Sequence, residues 1–430
     1  MTAFQTTEDF AVAMDTRDPL ARYREQFYFP KTNGGDDSIY LCGHSLGLQP
    51  VSAKEYLEQE LQDWAQFGVE GHFHAKNPWM PYHRLLTEQT AAIAGAEPIE
   101  VVVMNSLTVN LHLMMASFYR PTATRHKILV ERGAFPSDQY AVKSQIRFHG
   151  FDPASSLLEL TPREGESCIR DEDIELVIDR EGDAIALIML GGVNYATGQA
   201  FDMAGITRAG HRKGCAVGFD LAHAIGNLPL HLHDWRPDFA VWCSYKYLNG
   251  GPGCVGGCFV HERHARTWEL PRFAGWWGHD EKTRFEMGPD FHPMPGAEGW
   301  QLSNPPILAL AALRASMNIF HEVGIENLRA KSLSLTAYME FLLKQQYGAA
   351  FEIVTPSEPE RRGAQLSIRL PHRGRDLCET LTADGVIGDW REPDTYRVAA
   401  VPLYNSYLDV YRFVQRFFAA LSQAQKLPAC

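Results

Sequence analysis

Between residues about 100 and 260, six short apolar runs alternate with stretches of helical periodicity. The runs are Val101–Met104, Ile128–Val130, Ile185–Leu190, Ala216–Phe219, Phe239–Cys243 and Val255–Val260. Leu107–Tyr119 and Ser137–His149 read as helices between them. Near-continuous apolar strands joined by helices predict an α/β fold with a mainly parallel sheet covered on both faces. Ligands of such sheets lie beyond the carboxyl ends of the strands.

The rest of the chain predicts a large domain over 51–306, a smaller C-terminal α/β domain over 307–430, and an N-terminal segment over 1–50 that packs on the small domain. Residues 52–67 read as a helix opened by a Ser52/Glu55 capping box, with Leu57, Leu61 and Trp64 on an apolar stripe. After Ser303-Asn304-Pro305-Pro306, helices are expected over 307–321 and 325–346, strands at Phe351–Val354, Gln365–Leu370 and Arg397–Val401, and a closing helix at Tyr407–Ala424. A hydrophobic share of 45% and a charged share of 21% are ordinary for a soluble globular protein. The net charge of −12 argues against a general nucleic-acid or membrane-surface role. None of the eight cysteines forms a CxxC pair, which reads as a reducing compartment. The first ten residues lack a signal-peptide pattern, and no apolar run approaches the length of a spanning helix, so a cytoplasmic location is expected.

Two residues at the predicted sheet edge carry the chemistry. Asp220 ends the run Cys215–Phe219, and Lys246 follows the run Phe239–Cys243 within Ser244-Tyr245-Lys246-Tyr247. A lysine amine that forms a Schiff base with an aldehyde, and a carboxylate that keeps a pyridine nitrogen protonated, suit pyridoxal 5'-phosphate. Other residues gather at the same edge. Thr108, in Asn105-Ser106-Leu107-Thr108, reads as part of a phosphate cup at a helix start or as the turn after a plain N-cap. Phe135 is placed to stack on the pyridine ring, with Ser137 and Asp138 as polar partners on its phenolic-oxygen or phosphate side, or Ser137 as another cap. His223 is an orienter of Asp220 or a surface-helix histidine. Tyr245 offers a phenol for phosphate binding and proton donation. Arg397, alone in an apolar strand, needs either an amino-acid carboxylate or a structural ion pair. Gly251–Gly256 matches GxGxxG but precedes a strand, and the histidines lack metal-ligand spacing, so neither a dinucleotide nor a metal is expected.

Taken together, Leu41-Cys42-Gly43-His44-Ser45-Leu46-Gly47-Leu48-Gln49-Pro50, Leu107–His112, Ala134–Asp138, Gly218–Ala224, Trp242–Asn249 and Pro402–Ser406 resemble the kynureninases over nearly the whole chain. These are pyridoxal-phosphate enzymes of the aminotransferase class V family with fold type I (aspartate-aminotransferase-like). The resemblance implies hydrolytic Cβ–Cγ cleavage of L-kynurenine or its 3-hydroxy form, in tryptophan catabolism or NAD biosynthesis. It assigns Lys246 as the Schiff-base lysine and Asp220, with His223 close by, to the ring nitrogen. Leu107, Thr108, Asp138 and Tyr245 hold the cofactor, completed by Trp276 and Asn304. Arg397 takes the substrate carboxylate, and Ser45 and His72 line the substrate pocket. The pairing of His72 with Asn304 is similar to the form that favours the 3-hydroxy substrate. A homodimer with shared sites is also implied. Cys42, His44, Pro252 and Cys254 depart from the family pattern. The rival readings are a cysteine desulfurase, which needs a reactive loop cysteine (Cys42 or Cys430 here), and a non-catalytic regulator that binds the same cofactor.

Overall fold

In a computed structural model, the described residues are 3–345, 351–370 and 374–426. Seven strands form the main sheet in the order Val101–Val103, Gly257–Val260, Phe239–Trp242, Ala216–Asp220, Ile185–Gly191, Lys127–Glu131 and Leu157–Leu160. Five of them run parallel from Phe239–Trp242 to Leu157–Leu160. Gly257–Val260 is antiparallel to both its neighbours, which leaves Val101–Val103 running with the others. The glycines before and in this reversed strand have a steric cause. A Cβ at Gly257 would lie 2.3 Å from the Trp242 ring, and one at Gly256 would lie 2.5 Å from the Trp242 carbonyl.

Alternate residues along each strand feed two cores on opposite faces. Val101, Leu129, Ile188, Leu190 and Trp242 pack on one side, against Ile174, Ile206, Leu310 and Met317 of three helices. Val102, Ile128, Val130, Met189 and Val241 pack on the other, against Leu111, Met114, Ala141 and Ile146. These faces belong to the helices Asp171–Glu181, Met203–Arg212 and Ile307–Val323, and to Leu107–Phe118 and Pro136–Phe148.

A four-stranded antiparallel sheet follows, in the order Glu352–Ile353, Gln365–Arg369, Thr395–Ala399, Asp389–Arg391. Helices Ile325–Lys344, Gly374–Ala383 and Tyr407–Lys426 supply Leu335, Leu377 and Phe413 to its core. The expected helix over 325–346 stops at Lys344, and residue 346 lies outside the described residues, as does Cys430. The N-terminal residues join this second unit. Ile39–Tyr40 pairs in parallel with Val386–Ile387. Asp15 accepts hydrogen bonds from the Tyr407 and Leu408 amides, 2.6 and 3.0 Å, at the start of the closing helix.

Two local expectations fail. The helix Ala53–Phe67 is present, but Ser52 has helical backbone angles and its side chain caps nothing, so the capping box does not form. Leu57 of its stripe packs on the core, but the other two residues face outward. Leu61 and Trp64 are exposed, while Glu60 is buried to receive Trp79 Nε1 and the Tyr82 hydroxyl. The strand Leu157–Leu160, absent from the sequence reading, is an edge strand carrying Glu159.

Candidate active site

Strand register lines up the chemistry. Asp220 is the last residue of its strand and pairs with Gly191 on one side and Val241 on the other. Glu131 ends the strand on the far side of the one that Gly191 closes. Past Trp242 the chain turns through Ser244 and Tyr245 to Lys246. A cavity of about 180 Å³ opens here. Leu107, Thr108, Phe135, Ser137, Asp138, Asp220, His223, Tyr245 and Lys246 all line it. Glu131, Gly191, Val193, Tyr195 and Ala222 complete the lining.

One end of the cavity is built from helix starts. Leu107–Phe118 begins after Asn105, whose φ is 50°, and the Ser106 side chain makes no capping bond. Pro136 opens the second helix, again without a side-chain cap. The Leu107, Thr108 and Val109 amides of the first helix therefore keep free N–H groups, whereas in the second Pro136 has no N–H and the Asp138 amide donates to the Phe135 carbonyl, which leaves the Ser137 amide. The Thr108 and Ser137 hydroxyls lie 2.9 Å apart between them. Such a pair of positive helix ends favours an anion.

The other end is acidic. Asp220 Oδ1 accepts the Ala222 amide at 2.7 Å. Burial and the adjacent Asp220 hold the Asp138 carboxyl well above its usual range, and Asp138 Oδ1 has no partner. Burial, with Asp220 adding, pushes Glu131 up to about 7. Glu131 accepts from the Gly191 amide and the Asn194 side chain, both at 3.2 Å. Three carboxyl groups thus face one ammonium, that of Lys246. Its Nζ lies 5.8 Å from the Phe135 ring centroid and 5.9 Å from that of Tyr245. Burial, then the charges of Lys246 and Arg397, keep His223 well below its usual value, and its Nδ1 is unpartnered. Burial, with Cys243 adding, raises the Tyr245 phenol, so it carries its proton at neutral pH.

Arg397 is almost wholly buried, at 1% exposure. Its Nη1 donates to the Tyr195 carbonyl at 2.7 Å, and its Nη2 donates to Asp389. Ser45 Oγ also donates to Asp389, at 2.7 Å, and Arg391 Nη2 does so at 2.9 Å. The structure forms the ion-pair side of the sequence alternative, and neither Arg397 nor Ser45 lines the cavity; Arg397 adjoins it through the lining residue Tyr195. His72, Trp276 and Asn304 are not brought to this cavity. His72 places Nδ1 2.9 Å from the Val69 carbonyl on a short outer helix, Trp276 is 42% exposed, and Asn304 is exposed. The sequence reading missed Glu131, Tyr195 and Asp389. Glu131 had a usable signal, being a carboxylate that closes an apolar run at the same sheet edge as Asp220.

Residues 328–417 match the family model described as the kynureninase C-terminal domain. Over 420 residues the chain is 70% identical to a kynureninase of Koribacter versatilis, covering 98% of this chain and 99% of that one. A kynureninase of Myxococcus xanthus is 60% identical over 412 residues, with 96% and 97% covered. Among solved structures, a cysteine desulfurase of Escherichia coli superposes with a TM-score of 0.77 at 18% identity, covering 94% of this chain and 99% of that one. A cysteine desulfurase of Thermococcus onnurineus gives 0.74 at 15%, with 99% and 100% covered. The architecture is therefore that of the fold type I, class V enzymes. The chain belongs to the kynureninase family.

Proposed function

We propose that this chain hydrolyses the Cβ–Cγ bond of L-kynurenine or 3-hydroxy-L-kynurenine, releasing L-alanine and anthranilate or 3-hydroxyanthranilate, with pyridoxal phosphate as cofactor. The observation that carries the reading is the placement of Lys246 and Asp220 in one cavity that ends on two helix N-termini. The residues fit the group. A phosphate suits the Leu107, Thr108 and Ser137 end, and a protonated ring nitrogen suits the end where Asp220 lines the cavity and Asp138 Oδ1 beside it is buried without a donor. Bound there, pyridoxal phosphate supplies an aldehyde for the Lys246 amine and a ring that takes up the electron pair left at the substrate's α carbon.

Lys246 is the base that moves the α proton. Asp220 holds the ring-nitrogen proton, and Phe135 covers the ring. His223, neutral in its buried position, steadies that end without adding charge. Tyr245 keeps its proton and is the donor to the β carbon once the bond to the hydrated γ carbon breaks. Arg397 takes the substrate carboxylate, with Ser45 close by. His72, Trp276 and Asn304 reach a site across a homodimer interface. The products fit tryptophan breakdown or NAD synthesis in the cytoplasm. Among the described residues no helix is long and apolar enough to cross a membrane.

The desulfurase reading lacks its nucleophile among the described cysteines. Burial, with Asp389 adding, pushes the Cys42 thiol up to about 12, the reverse of what a reactive thiolate needs. Borohydride reduction of the holoenzyme followed by peptide mapping tests the proposal. The pyridoxyl tag is expected on Lys246, together with kynurenine turnover that Lys246→Ala abolishes. A tag elsewhere, or turnover without Lys246, overturns it. A tag without any turnover returns the chain to the regulator reading.

A further inference from the structure

Asp389 and Arg397 sit directly opposite each other on neighbouring antiparallel strands. The pair closes the guanidinium that, on the reading above, grips the substrate carboxylate. Arg397 has one donor on the Tyr195 carbonyl and one on Asp389, and its Nε is buried without a partner. Asp389 is better supplied. Arg397, Arg391 and the Ser45 hydroxyl all donate to it, and His44 Nε2 lies 3.7 Å away. Both His44 ring nitrogens are buried without a hydrogen bond. If Asp389 gave up Arg397, it would keep Arg391 and Ser45. Arg397 would be left with a buried, under-used fork, which a planar carboxylate satisfies best. The cluster also carries two guanidinium charges against one carboxylate, so a second carboxylate balances it.

We propose that Asp389 is a placeholder for the substrate carboxylate. It occupies Arg397 in the empty site and shifts onto Arg391 and Ser45 when an amino-acid carboxylate arrives. Every amino-acid ligand then binds in competition with this internal carboxylate. Ligands without a carboxylate gain nothing from Arg397 and leave Asp389 in place.

The test is calorimetric titration of the holoenzyme with L-alanine and, as the carboxylate-free control, L-alaninamide. Removing the competitor's charge in Asp389→Asn is expected to lower the Kd for L-alanine at least about five-fold. The amide is expected to move by less than about two-fold. The KM for kynurenine should fall in parallel, and Asp389→Glu should restore the native Kd. An unchanged or higher alanine Kd in Asp389→Asn overturns the proposal. Should that variant fail to fold, Arg391→Gln decides the matter at a partly exposed position. It removes the alternative partner of Asp389, so the alanine Kd should rise several-fold with the amide unaffected; no rise overturns the exchange. Arg397→Lys separates the two layers. If it leaves the preference for alanine over alaninamide intact, the role of Arg397 itself is wrong. If it erases that preference while Asp389→Asn changes nothing, only the placeholder is wrong.

Discussion

The Thr108 hydroxyl lies 2.9 Å from the Ser137 hydroxyl, although the two residues open different helices that follow different strands. Two positive helix ends and two hydroxyls therefore converge on one point of the cavity. Thr108→Val is expected to weaken cofactor binding about ten-fold, the worth of one hydrogen bond to a charged group. The check is fluorescence titration of the cofactor-free chain with pyridoxal phosphate. Equal affinity in the variant would place the phosphate elsewhere.

Glu131 makes stability depend on pH. Burial raises its carboxyl from 4.5 to about 7. Between these values the folded chain retains a proton that the unfolded chain has released. The contribution of Glu131 to the stability of the cofactor-free chain is therefore fully present below 4.5 and is lost as pH rises through 7. The full loss is on the order of 3 kcal/mol. Urea unfolding across this range should show the decline in the native chain and a shallower one in Glu131→Gln. Parallel pH profiles for the two proteins would contradict it.

Asp238 anchors the opposite edge of the sheet. It receives the Val217 amide at 2.7 Å and faces His211 at 3.0 Å, His264 at 2.8 Å and Arg263. Burial alone would raise its carboxyl, yet these partners hold it far below the usual range. Asp238→Ala leaves Arg263 and the Val217 amide unpaired, at an expected cost of ~3–5 kcal/mol in unfolding free energy. Because the residue precedes the strand Phe239–Trp242 while Lys246 follows it, kcat and KM of the folded fraction should stay at native values. A change in kcat larger than the change in folded fraction would argue against this separation.

Trp276 and Asn304 are exposed in the single chain. If they complete a partner's site, Lys246→Ala and Trp276→Ala chains should rescue each other. Each is expected to be nearly inactive alone. Mixed and reassembled, half the dimers are hybrids with one intact site, giving about a quarter of native activity. Mixtures that stay inactive would confine each site to one chain.

The parts of the site that the sequence disclosed are those set by local pattern. Asp220 and Lys246 stand at the ends of apolar runs long enough to define strands, and the helix starts at Leu107 and Pro136 follow strands directly. Asp389 left no such trace, because its meaning comes from a cross-strand register with Arg397. Tyr195 bonds Arg397 through its backbone carbonyl, which any residue type could offer. Leu157–Leu160 escaped because an edge strand need not be apolar on both faces. The Ser52/Glu55 pattern misled, since Ser52 takes helical angles and its hydroxyl never faces the turn.

The pairing of Ile39–Tyr40 with Val386–Ile387 sets a timetable for biosynthesis. At ribosomal speeds of about 5–20 residues per second, the early strand leaves the exit tunnel on the order of tens of seconds before its partner is translated. The Asn405 side chain, which bonds the Tyr40 carbonyl at 2.9 Å, is made later still. The stretch bearing Ser45 is thus made well before the segments that fix it, and it cannot take its place until residues 386–405 have followed.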